Sequence, residues 1–117
     1  MTAFDETSPR PRRIAQAIRL RPEAREEYLR LHASVWSEVE AMITAANIRN
    51  YTIYLLNDLL FSYYEYVGDD YDADMSRIAA DPATRRWWKL TDPCQERLPG
   101  TPDGRQWQEL PEVWHMD

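Results

Sequence analysis

The sequence contains a single cysteine, Cys94, among its 117 residues. An intramolecular disulfide needs two cysteines, and so does a zinc site built mainly on thiolates, so neither can form within this chain. We expect Cys94 to act as a small apolar filler. The lack of disulfides is typical of a reducing compartment, and we predict a cytoplasmic location.

Long apolar runs are also missing from the sequence. No stretch approaches the roughly 18 consecutive apolar residues of a membrane-spanning helix, and 29% of the residues are charged. The first dozen residues carry prolines and arginines but lack the apolar segment of a secretory signal. We therefore predict a flexible tail over residues 1–13, a single domain over residues 14–117, and no membrane partner.

Motifs for cofactors, metals and nucleic acids are not found either. No glycine-rich loop follows a predicted strand, and the two histidines, His32 and His115, make no recognisable metal signature. Ser34 and Ser37 lack the context of a nucleophile elbow. The formal net charge of −6 does not suit phosphate binding. We expect no cofactor, no metal and no nucleic acid, and a small neutral or polar molecule as the partner.

The apolar pattern predicts an α+β protein. Capping residues, prolines and turn residues divide the chain into a strand (14–20), a long helix (22–46) ending at Asn47, two strands (51–56 and 59–67) around an Asn57-Asp58 turn, a broken helix (71–80, then from Pro82), a loop (93–104) and a last strand (112–116). The order β-α-β-β-α-β is typical of the ferredoxin-like fold, in which one antiparallel sheet carries its helices on one face.

The side chains of the third strand predict that the protein forms an oligomer. Phe61 and Tyr63 alternate with Tyr64 and Tyr66, so both faces of the sheet carry bulky side chains. The face without helices would be a large exposed apolar patch in a monomer. We therefore predict a homodimer that packs sheet against sheet, a dimeric α/β barrel.

Candidate chemistry lies on the apolar stripe of the first helix. Tyr28 and His32 are four residues apart, so their side chains are neighbours, and both can exchange protons. Tyr51, Trp87 and Trp88 offer aromatic faces for the C–H faces of a sugar, and the set could line one pocket between helix and sheet. Each also has a structural interpretation: an inward histidine is often a packed core residue, and Trp87 and Trp88 point about 100° apart on a helix, so one of them should be core. For His115, next to Trp114, we expect a structural role.

Several motifs together resemble one family, the L-rhamnose mutarotases. They are Glu27-Tyr28 followed by His32 and Val35-Trp36, NYTIYL from Asn50, LLFSYYEY from Leu59, RWWK from Arg86, and the ending EVWHMD, spanning about residues 14–117. The resemblance implies a ferredoxin-like dimer and a cofactor-independent isomerase that interconverts the α and β anomers of L-rhamnose, or of a related deoxyhexose such as L-fucose. It also implies a proton donor at His32 and sugar contacts at Tyr28, Tyr51, Trp87 and Trp88.

The chain departs from the family pattern next to the histidine. The family usually has an Asn-Pro pair after the histidine and a proline after the tryptophan, whereas this chain has Ala33, Ser34 and Ser37, so we expect the pocket wall to be shaped differently there. Two alternatives remain open. One is a ferredoxin-like dimeric oxygenase, either haem-degrading with His32 as a haem ligand or cofactor-free. The other is a sugar-binding module without catalytic activity.

Overall fold

The computed structural model describes residues 11–117. Most of the predicted tail, residues 1–10, lies outside the described residues, and the first strand begins at Arg12, two residues before the predicted boundary. The elements are β1 (Arg12–Leu20), α1 (Arg25–His32), α2 (Ser37–Ala45), β2 (Ile48–Leu56), β3 (Leu59–Tyr66), α3 (Tyr71–Ala80), α4 (Pro82–Thr91), β4 (Gln95–Glu96) and β5 (Gln108–Leu110), with 3-10 turns at Pro22–Ala24 and Asp92–Cys94.

One antiparallel sheet contains these strands, which confirms the α+β prediction. The strand order is β2-β3-β1-β4, and β5 also pairs with β1. Strand β1 is central: Ala15 lies opposite Tyr63 of β3 on one side and opposite Leu110 of β5 on the other. Leu20, at the end of β1, lies opposite Gln95 of β4. The first and the last strand of the described residues therefore pair with each other.

The predicted hairpin and the predicted second helical region are confirmed. Asn57, in the turn between β2 and β3, has a φ of 53°, a conformation that asparagine tolerates well. The Asp70 side chain accepts a hydrogen bond from the backbone N–H of Ala73 and so caps α3. Asp81 accepts one from Thr84 N–H at 2.9 Å, directly before Pro82 opens α4. These local signals were all readable in the sequence.

The single long helix predicted over residues 22–46 is wrong, because the structure has two shorter helices there. Helix α1 ends at His32, and Trp36 has an extended backbone with φ −63° and ψ 135° before α2 begins. No glycine or proline causes this break. The Trp36 ring instead packs edge-on against Trp87 of α4, with ring centroids 5.2 Å apart. A tertiary contact thus accompanies the break where helix propensity alone predicted continuity. The predicted stop at Asn47 is confirmed by its φ of 68°.

The last strand predicted over residues 112–116 is also wrong. The final strand is β5 at Gln108–Leu110, and residues 111–117 form no regular element. Pro111 follows β5 directly, and its missing N–H cannot continue the ladder with β1. His115 therefore lies in an exposed segment rather than in a strand, where its Nε2 lies 2.7 Å from an Asp117 carboxylate oxygen. The predicted loop over residues 93–104 contains the short strand β4.

The helices pack against one face of the sheet, which we call the inner face. A first core cluster joins the sheet to α1 and the segment after α4: Ile18, Leu20, Tyr28, Leu60 and Cys94. A second core cluster lies towards the other end of the sheet, beside residues of α2 and α3: Ile14, Ile48, Tyr64 and Tyr66. A third, the helix cluster, joins α1, α2 and α4: Leu31, Val39 and Trp87. Cys94 is buried filler, as predicted.

The opposite face of the sheet, which we call the open face, exposes large apolar side chains. Strand β3 alternates buried inner residues with partly exposed outer ones. Phe61 and Tyr63 share one face and Tyr64 and Tyr66 the other, as predicted. On the edge strand β2, Tyr54 and Leu56 each expose 62% of their surface. No helix in the described part of the chain combines the length and hydropathy required to cross a bilayer.

Candidate active site

Three of the predicted site residues meet between α1 and α4. The Tyr28 and His32 rings stack with centroids 4.2 Å apart, as expected for neighbours one helical turn apart. The Trp87 ring approaches His32 edge-on, with centroids 5.4 Å apart. Helix α1 thus supplies a phenol and an imidazole, and α4 supplies an indole that holds the imidazole from a second side.

The geometry of His32 fixes which ring nitrogen is available for chemistry. Nδ1 lies 2.9 Å from the backbone carbonyl oxygen of Tyr28. A carbonyl oxygen can only accept a hydrogen bond, so Nδ1 carries a proton and donates it there. Nε2 is therefore the nitrogen that can give or take a proton. Because His32 is only partly buried, this nitrogen belongs to a side chain that solvent and small molecules can reach.

Tyr28 is the most deeply buried of the predicted site residues, with 3% of its surface exposed. Burial raises the pKa of its hydroxyl above the ordinary value, although a hydrogen bond from Gln95 acts in the opposite direction. The Gln95 Nε2 donates that bond at 3.2 Å. Tyr28 is therefore a neutral phenol near neutral pH, able to donate a hydrogen bond.

Tyr51 reaches the inner face through a bulge in β2. Arg49 pairs with Glu65 and Thr52 pairs with Tyr63, so one extra residue is inserted, and Asn50 takes a φ of 54° there. The Tyr51 ring consequently lies 5.3 Å from that of Tyr64, an inner-face residue of β3.

The hydroxyl of Tyr51 lies among many protein atoms, although the residue as a whole is partly open to solvent. Burial of its hydroxyl raises the pKa to about 12, yet 43% of the residue remains exposed. Many surrounding protein atoms together with access to solvent explain both observations. A charge on Tyr51 would also raise the pKa of Tyr28, which places the two hydroxyl groups within electrostatic range of each other.

Trp88 lies on a surface beside this group. As predicted, the adjacent tryptophans diverge: Trp87 is buried, and Trp88 exposes 37% of its surface. Trp88 lines an open groove of about 670 Å³, together with Ala79, Arg85, Lys89, Asp92 and Pro93. The structure thus brings Tyr28, His32 and Trp87 together, places Tyr51 on the facing strand, and leaves Trp88 on a neighbouring surface.

Two polar features of the inner face were missed in the sequence. Gln95 contacts the Tyr28 hydroxyl, but it lies in a segment read as loop, where no pattern marks it. Gln16 and Ser62 lie opposite each other on β1 and β3, between the first and second core clusters, and the Ser62 hydroxyl lies 3.5 Å from Gln16 Oε1. A polar pair on an otherwise apolar inner face interrupts the strand pattern, and this signal was available.

Fold and geometry define a small α+β protein in which a histidine, tyrosines and a tryptophan lie between the helices and the inner face of the sheet. These side chains are suited to proton transfer on a small polar molecule. The chain belongs to the L-rhamnose mutarotase family, because the family's sequence profile matches residues 13–116. This confirms the resemblance seen in its motifs.

Curated relatives and solved structures agree with this assignment. L-rhamnose mutarotases from Shigella flexneri and from Klebsiella pneumoniae are 33% and 34% identical to this chain, each over 89% of it and 97% of the relative. Among solved structures, the L-rhamnose mutarotase of Formosa agariphila superposes with a TM-score of 0.71 at 20% identity, over 91% of this chain and 99% of the other. Tetracenomycin F2 cyclase from Streptomyces glaucescens, a type-II polyketide cyclase, gives a TM-score of 0.64 at 13% identity over the same shares. The two structures support the fold.

Proposed function

We propose that this protein interconverts the α and β anomers of L-rhamnose, or of a related deoxyhexose such as L-fucose, without a cofactor. It is then an isomerase of the mutarotase type. Family membership supports the reaction, and one observation carries its assignment to a site: the imidazole of His32 is oriented through Nδ1 and leaves Nε2 available beside an aromatic wall.

Mutarotation needs two proton transfers. Ring opening breaks the bond between C1 and the ring oxygen while a proton leaves the anomeric hydroxyl and another reaches the ring oxygen. Closure on the other face of the aldehyde reverses both transfers. In our proposal His32 acts in its imidazolium form: Nε2 gives its proton to the ring oxygen, the anomeric proton leaves to solvent directly or through a tyrosine, and both transfers reverse on closure. Positioned acid–base catalysis of this kind typically gives about 10²- to 10⁴-fold acceleration.

Tyr28 and Tyr51 are suited to a relay rather than to a standing base. The raised pKa of each hydroxyl keeps it protonated at neutral pH. A phenol can accept the anomeric proton only while passing its own proton on, so either tyrosine would relay a proton or orient a sugar hydroxyl. As the family resemblance implies, Trp87 and Trp88 would contact the sugar by stacking and by indole N–H donation; Trp88 would do so from the groove on the neighbouring surface.

The same proposal includes a ferredoxin-like homodimer that packs open face against open face. The element order agrees with this fold, since paired helices follow β1 and β3. The exposed Tyr54 and Leu56 support the interface, because a monomer would leave this apolar surface in water. A cytoplasmic location remains part of the proposal and is supported by the single free thiol of Cys94.

Saturation-transfer NMR on the anomeric protons tests the reaction directly. We expect catalytic amounts of the protein to accelerate exchange of L-rhamnose and, more weakly, of L-fucose. His115→Ala is a matched control, since it removes the other histidine from an exposed segment and should leave the rate unchanged. Binding without faster exchange would favour the sugar-binding module, and an absorption band on adding haem would favour the oxygenase.

A further inference from the structure

Gln95 is buried, although its side chain is a polar amide. It is the first residue of β4, its backbone pairs with Leu20 of β1, and only 6% of its surface is exposed. A buried amide costs free energy unless its polar atoms find partners. The partner of its nitrogen is the hydroxyl of Tyr28, contributed by a helix 67 residues earlier in the chain.

The other end of the amide is held as well. Gln95 Oε1 accepts a hydrogen bond from the Nε2 of Gln106 at 3.4 Å. In this arrangement the amide nitrogen of Gln95 is the atom turned towards Tyr28. A hydroxyl that accepts a hydrogen bond from an amide keeps its own proton for a different acceptor.

We propose that Gln95 is a positioning residue that orients the Tyr28 hydroxyl as a donor towards the sugar. The inference rests on the proposed mutarotase function and adds a residue to it. Gln95 would not touch the sugar and would act only through Tyr28. Gln106 would support it by keeping the amide from turning round. This hydrogen bond has a fixed direction, since the amide N–H that faces the phenol cannot accept the phenol's proton.

A double-mutant cycle with Gln95→Leu and Tyr28→Phe separates this role from a merely structural one. In the wild-type background, Gln95→Leu should lower kcat/KM for L-rhamnose about 2- to 10-fold, the range of one hydrogen bond, with the loss mainly in kcat. In the Tyr28→Phe background the same substitution should change kcat by less than about 2-fold, because the hydroxyl it orients is gone.

Stability and NMR measurements show whether a loss of kcat comes from unfolding or from the lost hydrogen bond. Urea unfolding of each variant shows whether it is folded. If Gln95→Leu does not fold, Gln106→Leu is used in its place. It should give a smaller loss in kcat, and this loss should also vanish in the Tyr28→Phe background. The side-chain amide signal of Gln95 should shift in Tyr28→Phe whether or not the protein is active. An equal loss of kcat in both backgrounds, or a loss of stability with kcat unchanged, overturns the inference alone. A wild-type protein without anomer exchange overturns the proposed function and this inference with it.

Discussion

Replacing His32 by three different residues separates its chemical role from its packing role. His32→Ala removes the ring and the Nδ1 hydrogen bond. His32→Asn keeps an amide N–H at the position of Nδ1, so it can still donate to the Tyr28 carbonyl. His32→Gln places an amide near the position of Nε2, so it can hydrogen-bond but cannot exchange a proton at neutral pH.

The structure sets different magnitudes for the two roles. His32 makes two ring contacts, with Tyr28 and Trp87, each worth about 0.5–1.5 kcal/mol, and one hydrogen bond worth about 1 kcal/mol. His32→Ala should therefore lower the free energy of unfolding by about 2–4 kcal/mol. Loss of acid–base catalysis should raise the barrier by about 3–5 kcal/mol, a 10²- to 10⁴-fold fall in kcat.

The assay is anomeric exchange by NMR, with urea unfolding measured on the same samples. We expect all three variants to lose a similar factor in kcat, whereas His32→Asn should recover part of the stability that His32→Ala loses. Either of two results would refute the reasoning: a variant without the imidazole that keeps a rate near wild type, or rates that follow stability across the series. His115→Ala should match the wild-type protein in both measurements.

Further predictions concern the tryptophans, the open face and a buried carboxylate. Trp87→Ala should cost about 3–5 kcal/mol of stability by urea unfolding because Trp87 belongs to the helix cluster. Trp88→Ala should leave stability nearly unchanged but raise KM for L-rhamnose; an unchanged KM would remove Trp88 from the proposed site. Leu56→Glu should convert a dimer into a monomer in sedimentation at micromolar concentration, and a monomeric wild-type protein would contradict the dimer. Chiefly through the hydrogen bond from Tyr66, the pKa of Asp74 is lowered, so its carboxylate stabilises the fold above its ordinary pKa and loses this contribution as pH falls through the lowered value. The thermal midpoint of Asp74→Asn should therefore lie below that of wild type at pH 7, by a gap that shrinks below about pH 4; a gap independent of pH would contradict this.

The sequence predicted best those features whose cause lies within a few residues. Asp81 and Pro82 mark the start of α4, and Asn57-Asp58 marks the hairpin, because a cap or a turn depends on its own backbone. The break after His32 had no such signal. It coincides with the packing of Trp36 on Trp87, residues that lie 51 positions apart, and propensity along the chain does not register such a contact.

The candidate site shows the same division. His32 and Tyr28 could be placed together because helical spacing alone makes them neighbours. Tyr51 could not be placed by counting, because alternation from Ile48 would turn it to the open face, and the extra residue at Asn50 reverses that phase. Gln95 lies in a two-residue strand that pairs with β1, so only the folded sheet brings it to Tyr28.

The central position of β1 has a consequence for how the sheet folds. The partners of this strand lie far along the chain: Ala15 pairs with Tyr63, 48 residues later, on one edge and with Leu110, 95 residues later, on the other. A sheet built on such distant pairings forms slowly, since the chain must close long loops before the contacts stabilise it. Until β5 has paired, the edge of β1 that faces it stays open, and partly folded chains with unpaired strand edges are prone to aggregate. Chains truncated before β5 would therefore leave β1 open along that edge.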